Sequence, residues 1–142
     1  MEKKPKNTAT LQTLQNNMLR VIFGFKLQNR VNMKNLREEI KMMSVNQISV
    51  YHTLLEAYNV MRHLSSEQIQ MKWKLIERKY ALRSITKKKL NVPEKPKLKC
   101  LGFTYNGAKL FNMLPLEMKK MEDPNIFKTK TKEWIWENIP SY

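Results

Sequence analysis

Apolar residues recur every three or four positions in several long segments of this sequence, and that spacing predicts helices. The first segment predicts one apolar face of an amphipathic helix, formed by Leu11, Leu14, Met18, Val21, Ile22 and Phe25. Thr8 or Thr10 is expected to cap its start, and Gly24 lies near its end. Only three glycines occur in 142 residues, which favours long helices over short strands joined by glycine-rich turns.

Three further helices are predicted before residue 83. A short helix is expected over Asn35 to Met43. Ser44 and Gln47 then have the spacing of a capping box, in which each side chain bonds the other residue's backbone N–H. They open a helix to about Leu64 with an apolar stripe at Ile48, Tyr51, Leu54, Leu55, Tyr58 and Met61. Ser65 and Gln68 repeat the spacing and open a helix with Ile69, Trp73, Ile76 and Tyr80 on one face.

The remainder of the chain alternates linker, strand and helix signals. Pro93 and Pro96 exclude a helix and make residues 83–99 an extended linker. Alternating apolar residues at Leu101, Phe103 and Tyr105 predict a short strand, which a turn at Asn106-Gly107 connects to a short helix from Ala108 to Leu114. Asp123-Pro124 predicts the start of a last helix, with an apolar face at Ile126, Phe127, Trp134, Ile135 and Ile139.

These elements predict a mainly α fold: a small helical bundle, a basic proline-containing connector and a short strand-turn-helix-helix tail. The predicted division is a basic N-terminal tail over 1–7, the bundle over 8–82, the connector over 83–99, and a C-terminal subdomain over 100–142 that packs on the bundle. About 140 residues suffice for one such core without disulfides or metals.

Charge is the strongest indication of function. The chain has 27 Lys and Arg against 12 Asp and Glu, a formal net charge of +15. Residues 71–99 hold eleven of these cations and two glutamates. A solvated lysine face that keeps the protein soluble is one reading, but a net charge this large favours a polyanionic partner.

The predicted partner is nucleic acid, RNA or DNA, whose phosphates lysines bind independently of sequence. Aromatic residues among the lysines are what single-strand binding uses to stack bases, although Trp73 and Tyr80 also fit a core role. The candidate binding residues are Lys72, Trp73, Lys74, Tyr80, Arg83, Lys87, Lys88, Lys89, Lys95, Lys97 and Lys99.

No catalytic site, metal or cofactor is predicted. Asp123 is the single aspartate, whereas two-metal phosphoryl chemistry needs several convergent carboxylates. One cysteine, Cys100, and two histidines, His52 and His63, provide no zinc-binding spacing, and the three glycines form no phosphate-binding loop.

An intracellular location is expected, because the lone cysteine suits a reducing compartment. The run Lys3-Lys4-Pro5-Lys6 is similar to a short nuclear localisation signal. No run of roughly 18 apolar residues occurs, so no transmembrane helix is predicted.

Two parts of the sequence resemble a known family. Leu14-Gln15, Leu19-Arg20, Ile22 and Gly24 resemble the L-Q-x-x-x-L-R-x-I-x-G segment that follows the palm in non-LTR (LINE-type, Jockey-like) retrotransposon reverse transcriptases. The tail resembles the closing F-x-Y-x-G-x-K-L-W-N-x-L-P motif through Phe103, Tyr105, Gly107, Lys109, Leu110, Asn112, Leu114 and Pro115. Phe127-Lys128 and Lys132 follow at the spacing of the family's final F-K-x-x-x-K helix.

The resemblance implies a C-terminal segment beyond the catalytic domain, expected to flank the template-primer channel and to contribute no catalytic residue. The sequence departs from the family at Phe111, which stands where tryptophan is usual, and at Asn16 and Asn17, which replace a basic pair.

Three other interpretations stay open on the sequence alone. The chain is an assembly piece that completes a reverse transcriptase supplied by another chain, a decayed remnant without selected function, or a protein that lies on an anionic membrane. Exposed methionine and aromatic residues that drive association would favour the first. Mixed Glu and Lys on the helices disfavour the last, since membrane-surface helices carry a uniformly basic polar face.

The charge distribution makes a quantitative prediction. If the connector contacts about five phosphates, log affinity should fall against log salt with a slope near −3.5 to −4.5 for single strand and duplex respectively. Replacing Lys87, Lys88 and Lys89 by Ala should flatten this slope, measured by binding of labelled strands across about 50 to 200 mM salt. Salt-insensitive binding would contradict a phosphate-binding connector.

Overall fold

The computed structural model describes residues 6–26, 28–62 and 103–141. Helices account for 74% of these residues, and no strand occurs among them, so the predicted mainly α fold is confirmed. We number the helices α1 (Lys6–Ile22), α2 (Met33–Glu39), α3 (Val45–Met61), α4 (Phe103–Met113), α5 (Leu116–Lys119) and α6 (Pro124–Asn138). None of the described helices is long and apolar enough to cross a bilayer.

Several predictions fall outside the described residues. They are the helix from Ser65, the basic connector over 83–99 and the first residues of the basic N-terminal run. The predicted domain boundaries at 82 and 99 fall there too, so that division stays a prediction. The described residues divide instead between two compact units, one within Met1–Ser49 and Ile135–Tyr142 and the other within Val50–Trp134.

The capping box that opens α3 is confirmed. The Ser44 backbone N–H donates to Oε1 of Gln47 at 2.9 Å, and the Gln47 N–H donates to the Ser44 hydroxyl at 3.4 Å. Both side chains are buried. Nε2 of Gln47 also donates to the carbonyl of Ile139 at 2.9 Å, so one amide both starts a helix and holds the C-terminal segment of the first unit.

The first two helices end in the same backbone motif. After α1, the Gly24 N–H donates to Val21 and the Phe25 N–H donates to Arg20, with φ of Gly24 at +67°. This is the Schellman arrangement, which requires a left-handed residue after the helix. The predicted helix end near Gly24 is thereby confirmed, but Phe25 lies beyond the helix and off its apolar face.

Two helix starts differ from prediction. α1 already includes Lys6, so Thr8 and Thr10 lie inside it and do not cap it. α2 begins at Met33, not Asn35, because the Asn32 side chain accepts from the N–H groups of the second and third following residues. It ends at Glu39 because Lys41, at φ +56°, takes the left-handed position.

The predicted strand at Phe103 and Tyr105 is wrong, as is the turn at Asn106-Gly107. All four residues lie in α4, which runs from Phe103 to Met113. Three alternating residues are too few to outweigh the 3.6-residue period that Gly107, Ala108, Phe111 and Leu114 form on its buried face. Leu101 lies outside the described residues.

The second unit has an apolar core in which α3, α4 and α6 contribute aromatic side chains. The rings of Tyr58 and Phe127 stack with centroids 4.1 Å apart, and the Tyr58 hydroxyl donates to the Glu122 carbonyl at 2.9 Å. The predicted start of α6 is confirmed, since the Asp123 carboxylate accepts from the Asn125 N–H at 2.8 Å. Ile126, predicted on the apolar face, is exposed instead.

The capping box makes a stability prediction. Ser44→Ala should lower the free energy of unfolding by about 1 kcal/mol, the usual cost of losing a helix N-cap. Gln47→Ala should lower it by about 2 kcal/mol, because two hydrogen bonds are lost and buried polar groups stay unsatisfied. Urea denaturation of both variants measures the change, with exposed Asn17→Ala as a control that should leave stability nearly unchanged.

Candidate nucleic-acid interface

Every candidate binding residue predicted from sequence lies outside the described residues. This applies to Lys72, Trp73, Lys74, Tyr80, Arg83, Lys87, Lys88, Lys89, Lys95, Lys97 and Lys99. Their role in binding therefore stays a prediction, and a candidate interface has to be built from the cations that the structure places.

Three described cations are used inside the fold. The guanidinium of Arg62 donates to the carbonyls of Lys120 and Met121 and lies over the Tyr58 ring. The buried Lys119 ammonium donates to the Asn112 carbonyl at 3.1 Å. These groups stabilise chain turns and are poorly placed to meet a phosphate.

Arg37 is the third internal cation, 1% exposed, with its guanidinium donating to Oδ1 of Asn16. Burial lowers the pKa of Arg37 from its ordinary value, while the neighbouring Glu38 carboxylate opposes that shift. The guanidinium ties α2 to α1, which gives a structural reason for a polar residue at Asn16.

The exposed cations of α6 are a different case. Phe127 and Thr131 lie one helical turn apart and are fully buried, with the Thr131 hydroxyl donating to the Phe127 carbonyl at 2.7 Å. Each is followed directly by a lysine, Lys128 and Lys132, and both lysines are exposed. Residues four apart share a helix face, so the two ammonium groups project from one side of α6.

Ion pairing distinguishes the neighbouring Lys130 from these two lysines. Lys130 is paired with Glu133 at 2.8 Å, as Lys34 is with Glu38 at 3.9 Å. Among the described residues, Lys128 and Lys132 form no ion pair. Their charge is therefore available to an external anion.

An aromatic side chain from α3 lies beside one lysine of this pair. The Lys132 ammonium is 5.6 Å from the centroid of the Tyr51 ring, and Tyr51 meets His52 edge to face with centroids 5.4 Å apart. His52 is exposed and Tyr51 is half-buried. We call Lys128, Lys132, Tyr51 and His52 the α6 basic face.

In the sequence, only the family resemblance indicates Lys128 and Lys132, and it implies no binding role for them. The signal that indicates one is local: each lysine follows a buried residue at a four-residue spacing. Recognising that signal requires knowing which face of α6 is buried. His52 is exposed and contacts the Tyr51 ring.

Most residues of the tail motif are buried or half-buried in the second unit. Gly107 in α4 and Leu114 directly after it are buried, while Leu110 and Asn112 are half-buried. Lys109 is exposed and lies 5.9 Å from the Tyr105 ring centroid. The motif therefore holds the second unit together at most of its positions.

A surface cavity of about 480 Å³ in the first unit is a weaker candidate. Its lining includes Lys34, Lys41 and Trp136, with the Lys41 ammonium 6.0 Å from the Trp136 ring centroid. Glu38 and Glu137 also line it, so its charges balance and no phosphate is favoured. Among the described residues no cluster of three His, Cys, Asp or Glu is placed to hold a metal.

No protein-family model matches the chain, and comparisons with curated proteins and with solved structures found no significant match.

Because Phe127 is a core residue, its substitution should change the stability of the protein and not its affinity for nucleic acid. Phe127→Leu should lower the free energy of unfolding by about 1 kcal/mol, because it loses ring stacking on Tyr58. It should leave the affinity of the folded protein for a labelled single strand unchanged. Ile126→Ala, at an exposed neighbouring position, is the control for stability. A loss of affinity without a loss of stability would instead make Phe127 a contact residue.

Proposed function

We propose that this protein is a non-catalytic nucleic-acid-binding module, related to the C-terminal segment of a retrotransposon RNA-directed DNA polymerase. It binds the phosphate backbone through lysines. The observation that carries the proposal is the α6 basic face in a chain of net charge +15. Its two exposed lysines have no ion pair within the described ranges, and one of them, Lys132, lies over the Tyr51 ring.

Backbone binding fits the chemistry of this face. A lysine ammonium is a mobile point charge that meets a phosphate without demanding one geometry. Lysines that neutralise phosphates release counterions, and this gives affinity without base preference. Half-exposed Tyr51 and exposed His52 offer ring surfaces beside the charges, which suits a single strand because its bases are free to stack.

The absence of catalysis rests on the carboxylates. Asp123, the single aspartate of the sequence, is a helix cap whose Oδ1 accepts from the Asn125 N–H. Polymerase chemistry requires carboxylates that converge on cations. The proposed role is therefore to hold template or primer beside an active site that another domain supplies.

The relation to retrotransposon reverse transcriptases is part of the proposal and rests on the motif residues. Their placement is compatible with it, because Gly107, Leu114 and Phe127 are buried while Lys109, Lys128 and Lys132 are exposed.

Lys128→Ala combined with Lys132→Ala tests the α6 basic face. The double variant should weaken binding of a labelled single strand and flatten the salt slope by about 1.4, since each lost phosphate contact on a single strand contributes about 0.7. Fluorescence anisotropy across about 50 to 200 mM salt measures both quantities.

The matched control is Lys34→Ala combined with Lys130→Ala, which removes the same charge from two lysines already paired with glutamates. It should have a clearly smaller effect on the slope. Equal effects of the two double variants would show that only net charge matters and would refute this face as the interface. Absence of binding by the unmodified protein would refute the function itself.

A further inference from the structure

Helix α1 buries one apolar side chain, Leu19, and leaves its other large apolar residues in the solvent. Its polar face is fixed by hydrogen bonds to other segments of the first unit. Gln12 Oε1 accepts from the Val45 N–H at 2.9 Å, and Gln15 Nε2 donates to the Met43 carbonyl at 2.9 Å. The Arg37 guanidinium donates to Oδ1 of Asn16 and completes the set.

These bonds prevent the helix from burying its own apolar side. Rolling α1 about its axis to turn the apolar face inward would break all three contacts and leave the buried Arg37 guanidinium without Asn16. Breaking a hydrogen bond to a buried charged group costs more free energy than breaking one between neutral groups. The outward orientation of the apolar face is therefore a fixed property of the first unit.

The apolar face is large. Its five members are between 53% and 81% exposed: Leu11, Leu14, Met18, Val21 and Ile22. Together they present on the order of 600 Å² of surface, at the upper end of the largest apolar patch of a typical monomer, which is often functional. A patch of this size indicates a binding surface.

The spacing of the face specifies the shape of its partner. Leu11, Leu14, Met18 and Val21 follow one another at intervals of three, four and three residues. These are the a and d positions of two heptads, a seam that fits the matching seam of another helix by knobs-into-holes packing. The occupant indicated is an α-helix with apolar residues at the same spacing.

We propose that the occupant is α1 of a second copy of this chain, so that two copies associate through this seam. The positions that flank a heptad seam decide partner choice through their charges. In α1 they are Thr10, Gln15, Asn17 and Ile22, all uncharged. Two molecules of charge +15 repel each other over most of their surface, and this seam is a place where they meet without like charges.

The area agrees with a weak dimer. Two such faces bury about 1,200 Å² in total, the lower limit for a specific interface. An anionic membrane is a poorer occupant, because surface-binding helices carry Lys or Arg along their polar side. α1 has only Lys6 and Arg20 over 17 residues, and the Arg20 guanidinium already donates to the Asn29 carbonyl at 3.2 Å.

Sedimentation velocity of the full chain without nucleic acid tests this proposal. Between about 1 and 100 µM the protein should shift from monomer to dimer, as a small interface predicts. Met18→Glu should raise the dissociation constant at least tenfold, because it places like charges at the centre of the seam. Thr13→Glu adds the same charge to an exposed position on another side of α1 and should leave association unchanged.

The outcomes are distinct. Circular dichroism should show unchanged helicity in Met18→Glu, and Leu14→Gln provides a second, uncharged seam variant with the same expectation. A monomer at every concentration, or a dimer that Met18→Glu leaves intact, overturns the proposal. Binding to anionic vesicles by a protein that stays monomeric would assign the face to a membrane. None of these results depends on whether the α6 basic face binds nucleic acid.

Discussion

Much of the first unit depends on the hydrogen bonds of three amide side chains, one buried and two half-buried. The Gln47 side chain accepts from the Ser44 backbone N–H and donates to the carbonyl of Ile139, so it fixes the start of α3 and the C-terminal segment together. Gln12 and Gln15 do the same for α1 and the segment that enters α3. Such groups cost free energy when buried without partners, and satisfying them determines which side of α1 faces the protein. The exposed apolar face is the consequence.

The two units differ in the kind of side chains that they bury. The first buries Arg37, Ser44 and Gln47 among few apolar residues, so directional bonds set its arrangement. The second buries an apolar set centred on the stacked rings of Tyr58 and Phe127. Non-directional packing tolerates more variation than a hydrogen-bond network. A substitution in the first unit is therefore expected to change stability by altering the geometry of a hydrogen bond. A substitution in the second unit is expected to change it through the volume of the buried side chain.

The cations that give the chain its high positive charge have two different roles. Some cations, such as Lys119 and Arg62, stabilise turns by donating to backbone carbonyls. Others, such as Lys128 and Lys132, are left in the solvent without an ion pair in the described part of the chain. Net charge alone cannot separate these roles, because both count equally in composition. Hydrogen-bond partners and burial separate them, and they support Lys128 and Lys132 as candidate phosphate contacts.

The sequence by itself determined what depends on neighbouring residues: the mainly α class, the Ser44–Gln47 capping box, the end of α1 near Gly24 and the start of α6 at Asp123. Each rests on contacts within a few positions. The prediction from sequence was wrong at Phe103 and Tyr105, because an alternation of three residues was given more weight than the longer helical period. It assigned the binding residues to a segment outside the described ranges. Only the tertiary structure decided that the apolar face of α1 is outward and that Lys128 and Lys132 are available, because both follow from distant partners: Met43 and Val45 in one case, Tyr51 and Tyr58 in the other.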